Sequence, residues 1–159
     1  MHIAYPAPVV VVDVANVMGA RADGWWRDRA GAAARLCREV IALAKRGDDT
    51  ASAWVLVLEG RAREAVALLE SETSLEEDTA PPGDWVPPAA DEVPTAGGTS
   101  PVRLVSAPGS GDDAIVGVVA ETVARDESCL VVTADRGLRQ RCEELNASVV
   151  GPGWLLRLL

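Results

Sequence analysis

Five short runs of apolar residues recur along the chain and predict the strands of a β-sheet. The runs are rich in Val and Leu, and they are continuous rather than alternating with polar residues. Continuous apolar runs are typical of strands that are covered on both faces, as in a parallel sheet. The predicted strands cover residues 8–13, 53–58, 102–106, 128–133 and 147–150.

Segments with apolar residues at helical spacing lie between these runs. The longest covers residues 25–47 and ends at Gly47, a residue type that favours a helix C-terminus. Further helices are predicted at 112–125, 135–145 and, over fewer residues, 62–70. Strands that alternate with helices predict a three-layer α/β/α fold of the Rossmann-like type with a mainly parallel sheet of about five strands. The chain is long enough for one such domain, spanning residues 1–159.

The segment from about residue 71 to residue 100 breaks this alternation. It contains five Pro and three Gly residues and has no apolar period, so we expect an irregular and mobile insertion within the domain. Eight of the 24 acids lie in residues 70–92, which contain no Lys or Arg. A net charge of −9 argues against an anionic partner. The 16 acids outside that stretch nearly balance the 15 bases, however, so the total charge says little about any site.

The cysteines and the apolar runs both bear on where in the cell the protein is located. The three cysteines, Cys37, Cys129 and Cys142, are odd in number and widely spaced in apolar or helical contexts. We interpret them as small buried residues in a reducing compartment, not as disulfide partners or zinc ligands. The run of four valines is too short to span a bilayer and lacks the pattern of a signal peptide, so we predict a cytoplasmic protein without membrane contact.

Acidic residues follow four of the predicted strands. Ligands of an open parallel sheet collect beyond the carboxyl ends of its strands, so these acids are expected to meet at one edge. Carboxylates gathered there repel one another unless a cation is present or their pKa values rise. Divalent cations such as Mg²⁺ take oxygen ligands, so the pattern predicts a metal-dependent site for phosphoryl chemistry. The acids are Asp13 after the first strand, Glu59 after the second, Asp112 and Asp113 after the third, and Asp135 after the fourth.

Most of these acids also have a purely structural explanation. Asp112 and Asp113 open a predicted helix, where acids are favourable to the helix dipole. Asp135 is a candidate N-cap, and Glu59 a candidate surface turn residue. Asp13 is harder to explain in this way, because four valines precede it and no helix is predicted to start directly after it.

Three short motifs, in this order, resemble the NYN branch of the PIN-like nuclease superfamily. They are DVANV at residues 13–17, GSGDDAI at 109–115 and TADRGL at 133–138. The likeness covers nearly the whole chain except for residues 71–100. It implies a PIN-like fold and a divalent-metal-dependent ribonuclease.

The resemblance also implies roles for the acids. Asp13 is then the central ligand of Mg²⁺ or Mn²⁺, and Asp135 together with Asp112 or Asp113 completes the catalytic acidic cluster. Glu59 is a further candidate ligand. Such ions polarise the scissile phosphate and lower the pKa of an attacking water, so no catalytic His is needed.

RNA, the substrate that the resemblance implies, needs hydrogen-bond donors and cations beside this cluster. Asn16 is expected to hydrogen-bond an acid or the substrate phosphate. Arginines in or just after loops on the same edge suit phosphate, although those at 136, 139 and 141 also fit an ordinary solvated helix face. Trp25 and Trp26 either stack on bases or pack at a helix start. The candidate substrate-binding residues are Asn16, Ser110, Thr133, Arg136, Arg21 and Arg61.

Two other functions remain open at this stage. A nucleoside-triphosphate pyrophosphohydrolase would use the same acids, whereas a non-catalytic interaction module would use the acidic insertion to bind a basic partner or to cover the site. The phosphate-binding motif G-x-x-x-x-G-K-[ST] and the dinucleotide fingerprint are both missing from the sequence. The C-terminal GPGWLLRLL is expected to pack on a helical layer, with a homodimer contact as the alternative.

Overall fold

A computed structural model of the protein describes residues 7–46, 50–76, 92–93 and 101–159. The strands in this part of the chain are β1 (Val9–Asp13), β2 (Ala53–Leu58), β3 (Glu92–Val93), β4 (Val102–Ser106), β5 (Cys129–Val132) and β6 (Ser148–Val150). The helices are α1 (Val14–Gly19), α2 (Arg29–Lys45), α3 (Ala65–Glu76), α4 (Gly111–Ala124), α5 (Arg136–Glu144) and α6 (Pro152–Leu156). Short 3₁₀ turns precede α2 and α3, at Trp25–Arg27 and Gly60–Glu64.

The strands form one sheet in the order β3-β4-β2-β1-β5-β6. Five of them are parallel, and β3 pairs with β4 in the antiparallel sense. The prediction of a three-layer α/β/α fold with a mainly parallel sheet is therefore confirmed. The chain runs from β1 outward through β2 to β4 and then crosses back to place β5 and β6 on the other side of β1. The strand order thus reverses between β1 and β5, and ligands of open α/β sheets bind at such a switch point.

The valine run forms the centre of the sheet because helices cover both of its faces. Val10 and Val12 pack on one face against α1, α2, α3 and α6. Val9 and Val11 pack on the other face against α4 and α5. Burying each of these side chains contributes roughly 1.5–3 kcal/mol, which explains why the run is apolar without alternation. The run also fixes the backbone that presents Asp13.

The helices of the N-terminal part begin at residues other than the predicted ones. A helix, α1, begins directly after Asp13, so the expectation that none starts there is wrong. The long helix begins at Arg29 rather than at residue 25, because Asp28 caps it: its Oδ1 accepts the Gly31 N–H at 2.9 Å. The predicted end at Gly47 lies outside the described residues, and α2 is assigned as far as Lys45.

Part of the predicted insertion is regular. Helix α3 continues beyond residue 70 to Glu76, and β3 pairs with β4 in the register Glu92 with Arg103 and Val93 with Val102. The other insertion residues, 77–91 and 94–100, lie outside the described residues. The mobility and the covering role predicted for the insertion therefore stay predictions.

The C-terminal tail and the cysteines follow the predictions. Leu155 of α6 is fully buried in the core, and α6 contacts α1 and β5, so the tail packs on a helical layer as expected. Cys37, Cys129 and Cys142 are free and buried. Burial raises the pKa of Cys37 and of Cys129 to about 12 and that of Cys142 to about 11, so all three are neutral thiols near pH 7. None of the helices in the described ranges is long and apolar enough to cross a membrane.

Candidate functional site

Asp13 lies at the carboxyl end of β1, at the switch point between β1 and β5, and a residue that follows β5 hydrogen-bonds to it. Val12 pairs with Val132, so Thr133 emerges from β5 directly beside Asp13. The Thr133 hydroxyl donates to Asp13 Oδ2 at 3.0 Å and accepts the Asp135 N–H at 3.2 Å. Asp13 is only 7% exposed, and its Oδ1 accepts the Asn16 N–H at 3.4 Å as the N-cap of α1. Its carboxylate therefore has a structural role, yet it is fixed at the position where a ligand is expected.

The surroundings of Asp13 oppose its negative charge. Burial is the main cause that raises its pKa, to about 6, and the nearby carboxylates of Glu59 and Asp112 raise it further. The hydrogen bonds from Thr133 and Asn16 act in the opposite direction and only partly compensate. A carboxylate in this position is stabilised by a cation, because a cation removes both the desolvation cost and the repulsion.

Glu59 reaches from the end of β2 to the start of α4. Its Oε2 accepts the Gly111 N–H at 2.6 Å, across 52 residues of sequence. The carboxylate thus binds an N–H group at a helix N-terminus, where negative charge is favourable. This contact replaces the explanation of Glu59 as a surface turn residue, because it ties β2 to α4 and positions the acids of the first α4 turn.

The two adjacent acids of α4 lie in different environments. Burial raises the pKa of Asp112, and the carboxylates of Asp135 and Glu59 raise it further, whereas Arg141 lowers it. Asp113 has a side chain that is 73% exposed, and its Oδ1 pairs with Arg141 at 3.0 Å. Asp112 is therefore the acid that faces the other carboxylates, and Asp113 faces solvent.

Asp135 is a helix N-cap, as one of its two predicted explanations required. It is the N-cap of α5, and its Oδ1 accepts the Leu138 N–H at 2.9 Å. Because it is exposed and acts on the charge of Asp112, it also forms part of the same group of acids. We call Asp13, Glu59, Asp112 and Asp135 the acidic cluster.

The chemistry of the acidic cluster suits a hard divalent cation. Its donors are carboxylate oxygens, and three of the four are hydrogen-bonded to backbone N–H groups that fix their positions. Within the described ranges, however, no three Asp, Glu, His or Cys side chains already converge on one ion position. An ion at this cluster would therefore have fewer than three carboxylate ligands from the described residues and would need water as its remaining ligands, as Mg²⁺ often has.

Asn16 joins α1 to the loop after β5. Its Oδ1 accepts the Ala134 N–H at 2.7 Å, while its own backbone N–H donates to Asp13. That backbone bond does not depend on the side chain, so the predicted bond from the Asn16 amide to an acid or to a substrate phosphate stays a prediction. The side chain instead holds the Thr133–Asp135 loop against Asp13, which keeps the two sides of the switch point together.

Some of the candidate substrate-binding side chains form ion pairs within the protein, and others are exposed. Arg21 pairs with Glu39 of α2 at 2.6 Å, and Arg139 pairs with Glu143 at 2.7 Å, so the solvated-face explanation holds for Arg139. Arg136 and Ser110 are exposed at the starts of α5 and α4. Arg61 is exposed and lines an open cleft of ≈ 460 Å³ together with Glu59. The substrate-binding role of these residues remains a prediction.

Arg29 is a residue that the sequence interpretation missed. It lines the same cleft as Arg61 and Glu59, and its guanidinium carbon lies 5.6 Å from the centre of the Trp25 ring. The 23-residue helix predicted for 25–47 placed Arg29 within the helix rather than at its start. An N-cap signal at Asp28 was the available clue to the true boundary.

Replacing Gly111 by Ala is expected to lower the activity of the site while leaving the protein folded. A methyl group on Gly111 would lie 2.6 Å from Glu59 Oε2, so the Glu59 carboxylate has to leave its position. Loss of a supporting contact of this kind typically lowers metal affinity or activity by about 10- to 100-fold. Gly117→Ala, at an exposed glycine of the same helix, is the matched control, because nothing lies within 4 Å of a methyl group there. Equal activity of the two variants would show that the placement of Glu59 is unimportant.

Comparisons of the chain with protein-family models, with curated proteins and with solved structures give no match.

Proposed function

We propose that this protein is a divalent-metal-dependent ribonuclease that hydrolyses phosphodiester bonds at the acidic cluster. The observation that supports this proposal most is the environment of Asp13. Its carboxylate is buried at the switch point of the sheet, and the neighbouring charges that act on it are those of Glu59 and Asp112, both negative. A buried carboxylate among other carboxylates is costly for stability alone, and a bound cation offsets that cost.

Asp13 and Asp112 are the residues that would hold the ion, because burial and nearby carboxylates, with Glu59 acting on both, destabilise both carboxyl groups as anions. When bound, Mg²⁺ or Mn²⁺ supplies a Lewis acid for the phosphate and lowers the pKa of a water. Thr133 orients Asp13, and Glu59 orients the start of α4. Arg61 lies on the cleft wall beside Glu59, where its guanidinium can bind a substrate phosphate.

The choice of RNA rests on the motif resemblance to the NYN branch. The site chemistry serves any phosphate ester that reaches it, including a nucleoside triphosphate. Purified protein should therefore be incubated with single-stranded RNA, structured RNA, DNA and nucleoside triphosphates, in Mn²⁺, Mg²⁺ or EDTA. Asp13→Asn is the test variant, and Glu121→Gln, an exposed acid near the other end of α4, is the control.

Metal-dependent RNA cleavage that is lost in Asp13→Asn and kept in Glu121→Gln supports the proposal. Turnover of triphosphates without RNA cleavage would instead identify a pyrophosphohydrolase. Inertness toward every substrate, with both metals, would contradict an enzymatic function and favour an interaction module.

A further inference from the structure

Two open clefts lie side by side next to Glu59 of the acidic cluster. The cleft beside Glu59 and Gly109 is lined by Arg29 and Arg61. A second open cleft, of ≈ 420 Å³, is lined by the same two arginines and extends to Trp26 and Arg27. Because Arg29 and Arg61 line both clefts, the two clefts adjoin along one surface groove, with Glu59 in the wall of the first cleft and Trp26 in the wall of the second. We call it the Trp26 groove.

The indole at the far end is exposed in a way that packing does not explain. Trp25 packs partly against the core, whereas Trp26 is 57% exposed. The two ring centres are 6.0 Å apart and their planes are nearly perpendicular, at 89°. The core thus takes up the first Trp of the pair and leaves the second one at the surface. Among the described residues, Leu68 is the other large hydrophobic side chain with such exposure.

The middle of the groove carries positive charge although the whole chain is acidic. Arg29 lies over Trp25, and Arg27 lies over Trp26, 5.8 Å from its ring centre. Two acids also line this part, Asp28 and Glu64, but the Asp28 carboxylate is engaged by the Gly31 N–H as a helix cap. Arg61 has no ion-pair partner among the described residues, so its guanidinium is available to an anion.

We propose that the Trp26 groove binds single-stranded nucleic acid, with an unpaired base stacked on Trp26 and the adjacent backbone phosphate between Arg29 and Arg61. An aromatic ring beside cations is the arrangement that binds unpaired nucleotides, since every base has a π-face and every nucleotide a phosphate. A duplex does not fit this arrangement, because its bases are already stacked on one another. A strand bound in this way passes toward Glu59 and the acidic cluster. That direction rests on the proposed nuclease function, whereas the binding itself does not.

The test is equilibrium binding in EDTA, where a metal-dependent enzyme does not cleave. Fluorescence anisotropy of labelled single-stranded RNA and DNA, of duplexes of the same sequence and of an acidic peptide is measured with the wild-type chain and variants. Trp26→Ala is expected to weaken single-strand binding about 5- to 150-fold. Trp26→Phe should restore part of it, and Leu68→Ala, which removes the other exposed hydrophobic side chain, should leave it unchanged. Arg61→Ala should reduce the dependence of binding on salt concentration by about one phosphate contact.

Several results would overturn this inference. They are equal binding of single strands and duplexes, preference for the acidic peptide, and single-strand binding that Trp26→Ala leaves intact. Intact binding without any cleavage in Mg²⁺ or Mn²⁺ would leave the groove assignment standing and contradict the nuclease alone. If a Trp26→Ala variant bound and cleaved RNA as well as the wild type does, the nuclease proposal would stand and the groove assignment would be wrong.

Discussion

Replacing Asp13 by Asn is expected to lower metal-dependent RNA cleavage by more than about 100-fold. Loss of a group that merely supports a metal ligand typically costs about 10- to 100-fold, so loss of a direct ligand should cost more. The amide keeps the shape of the carboxylate, and its oxygen can still accept the Asn16 N–H. Initial rates of cleavage at saturating Mn²⁺ measure the effect, with Glu121→Gln as the control. A rate within a few-fold of the wild type would remove Asp13 from the catalytic site.

The same substitution is expected to stabilise the protein in the absence of metal. The pKa of Asp13 is raised from 3.8 to about 6, mainly by burial, so between these values the folded state binds a proton that the unfolded state has lost. The free energy of unfolding therefore falls as pH rises from about 4 to about 6, and the loss above pH 6 is on the order of 3 kcal/mol. Asn carries no charge and avoids this loss.

Urea unfolding in EDTA tests this prediction. At pH 7.5 the Asp13→Asn variant should have a higher free energy of unfolding than the wild type by about 1–3 kcal/mol, and the difference should shrink below pH 4. Acids outside the acidic cluster titrate alike in both proteins, so the difference between them reports the charge of Asp13 together with its coupling to Glu59 and Asp112. A variant less stable than the wild type at pH 7.5 would show that the hydrogen bonds from Thr133 and the Asn16 N–H outweigh the cost of the buried charge, which would contradict the argument that this charge needs a cation.

Asp112 and Asp113 are expected to give opposite results although they are neighbours in sequence. Asp112→Asn should lower cleavage by at least about 10-fold, because it removes a proposed ligand whose charge acts on Asp13. Asp113→Asn should leave the rate within about twofold. Its exposed ion pair with Arg141 is of a kind that contributes about 0–1 kcal/mol to stability.

The pair serves as its own control, since each variant changes one carboxylate into an amide in the same turn of α4. Rates at several Mn²⁺ concentrations separate weaker metal binding from slower chemistry. If Asp113→Asn were the damaging variant, the assignment of Asp112 to the acidic cluster would be wrong, and α4 would have to present its other face to the substrate.

The sheet could be predicted from the sequence because its signal is local. Runs such as Val9–Val12 and Val55–Leu58 are apolar without alternation only if both faces are covered, and this determines the parallel α/β class. Helix α1 was missed because six residues directly after a strand leave little room for an apolar period. The Asp13-to-Asn16 spacing was a usable N-cap signal, since the Asn16 N–H donates to Asp13.

The contacts that shape the site were less accessible from sequence. The bond from Gly111 to Glu59 joins residues 52 positions apart, and the bond from Thr133 to Asp13 joins residues 120 apart. Both bonds depend on which strands are neighbours in the sheet, and the strand order could not be predicted from the sequence. The choice between Asp112 and Asp113, by contrast, could have been predicted from the helical period. The buried residues of α4 include Gly111 and Ile115, and a helical period places Asp112 nearer than Asp113 to the face they define.

Direct binding of Mn²⁺ tests most closely whether the acidic cluster is a cation site. Titration calorimetry at pH 7.5, without nucleic acid, compares the wild-type chain with Asp13→Asn and Asp113→Asn. We predict saturable binding to the wild type and to Asp113→Asn that is lost, or weakened by more than about 10-fold, in Asp13→Asn. Binding that is absent from the wild type, or equal in all three proteins, would contradict the account.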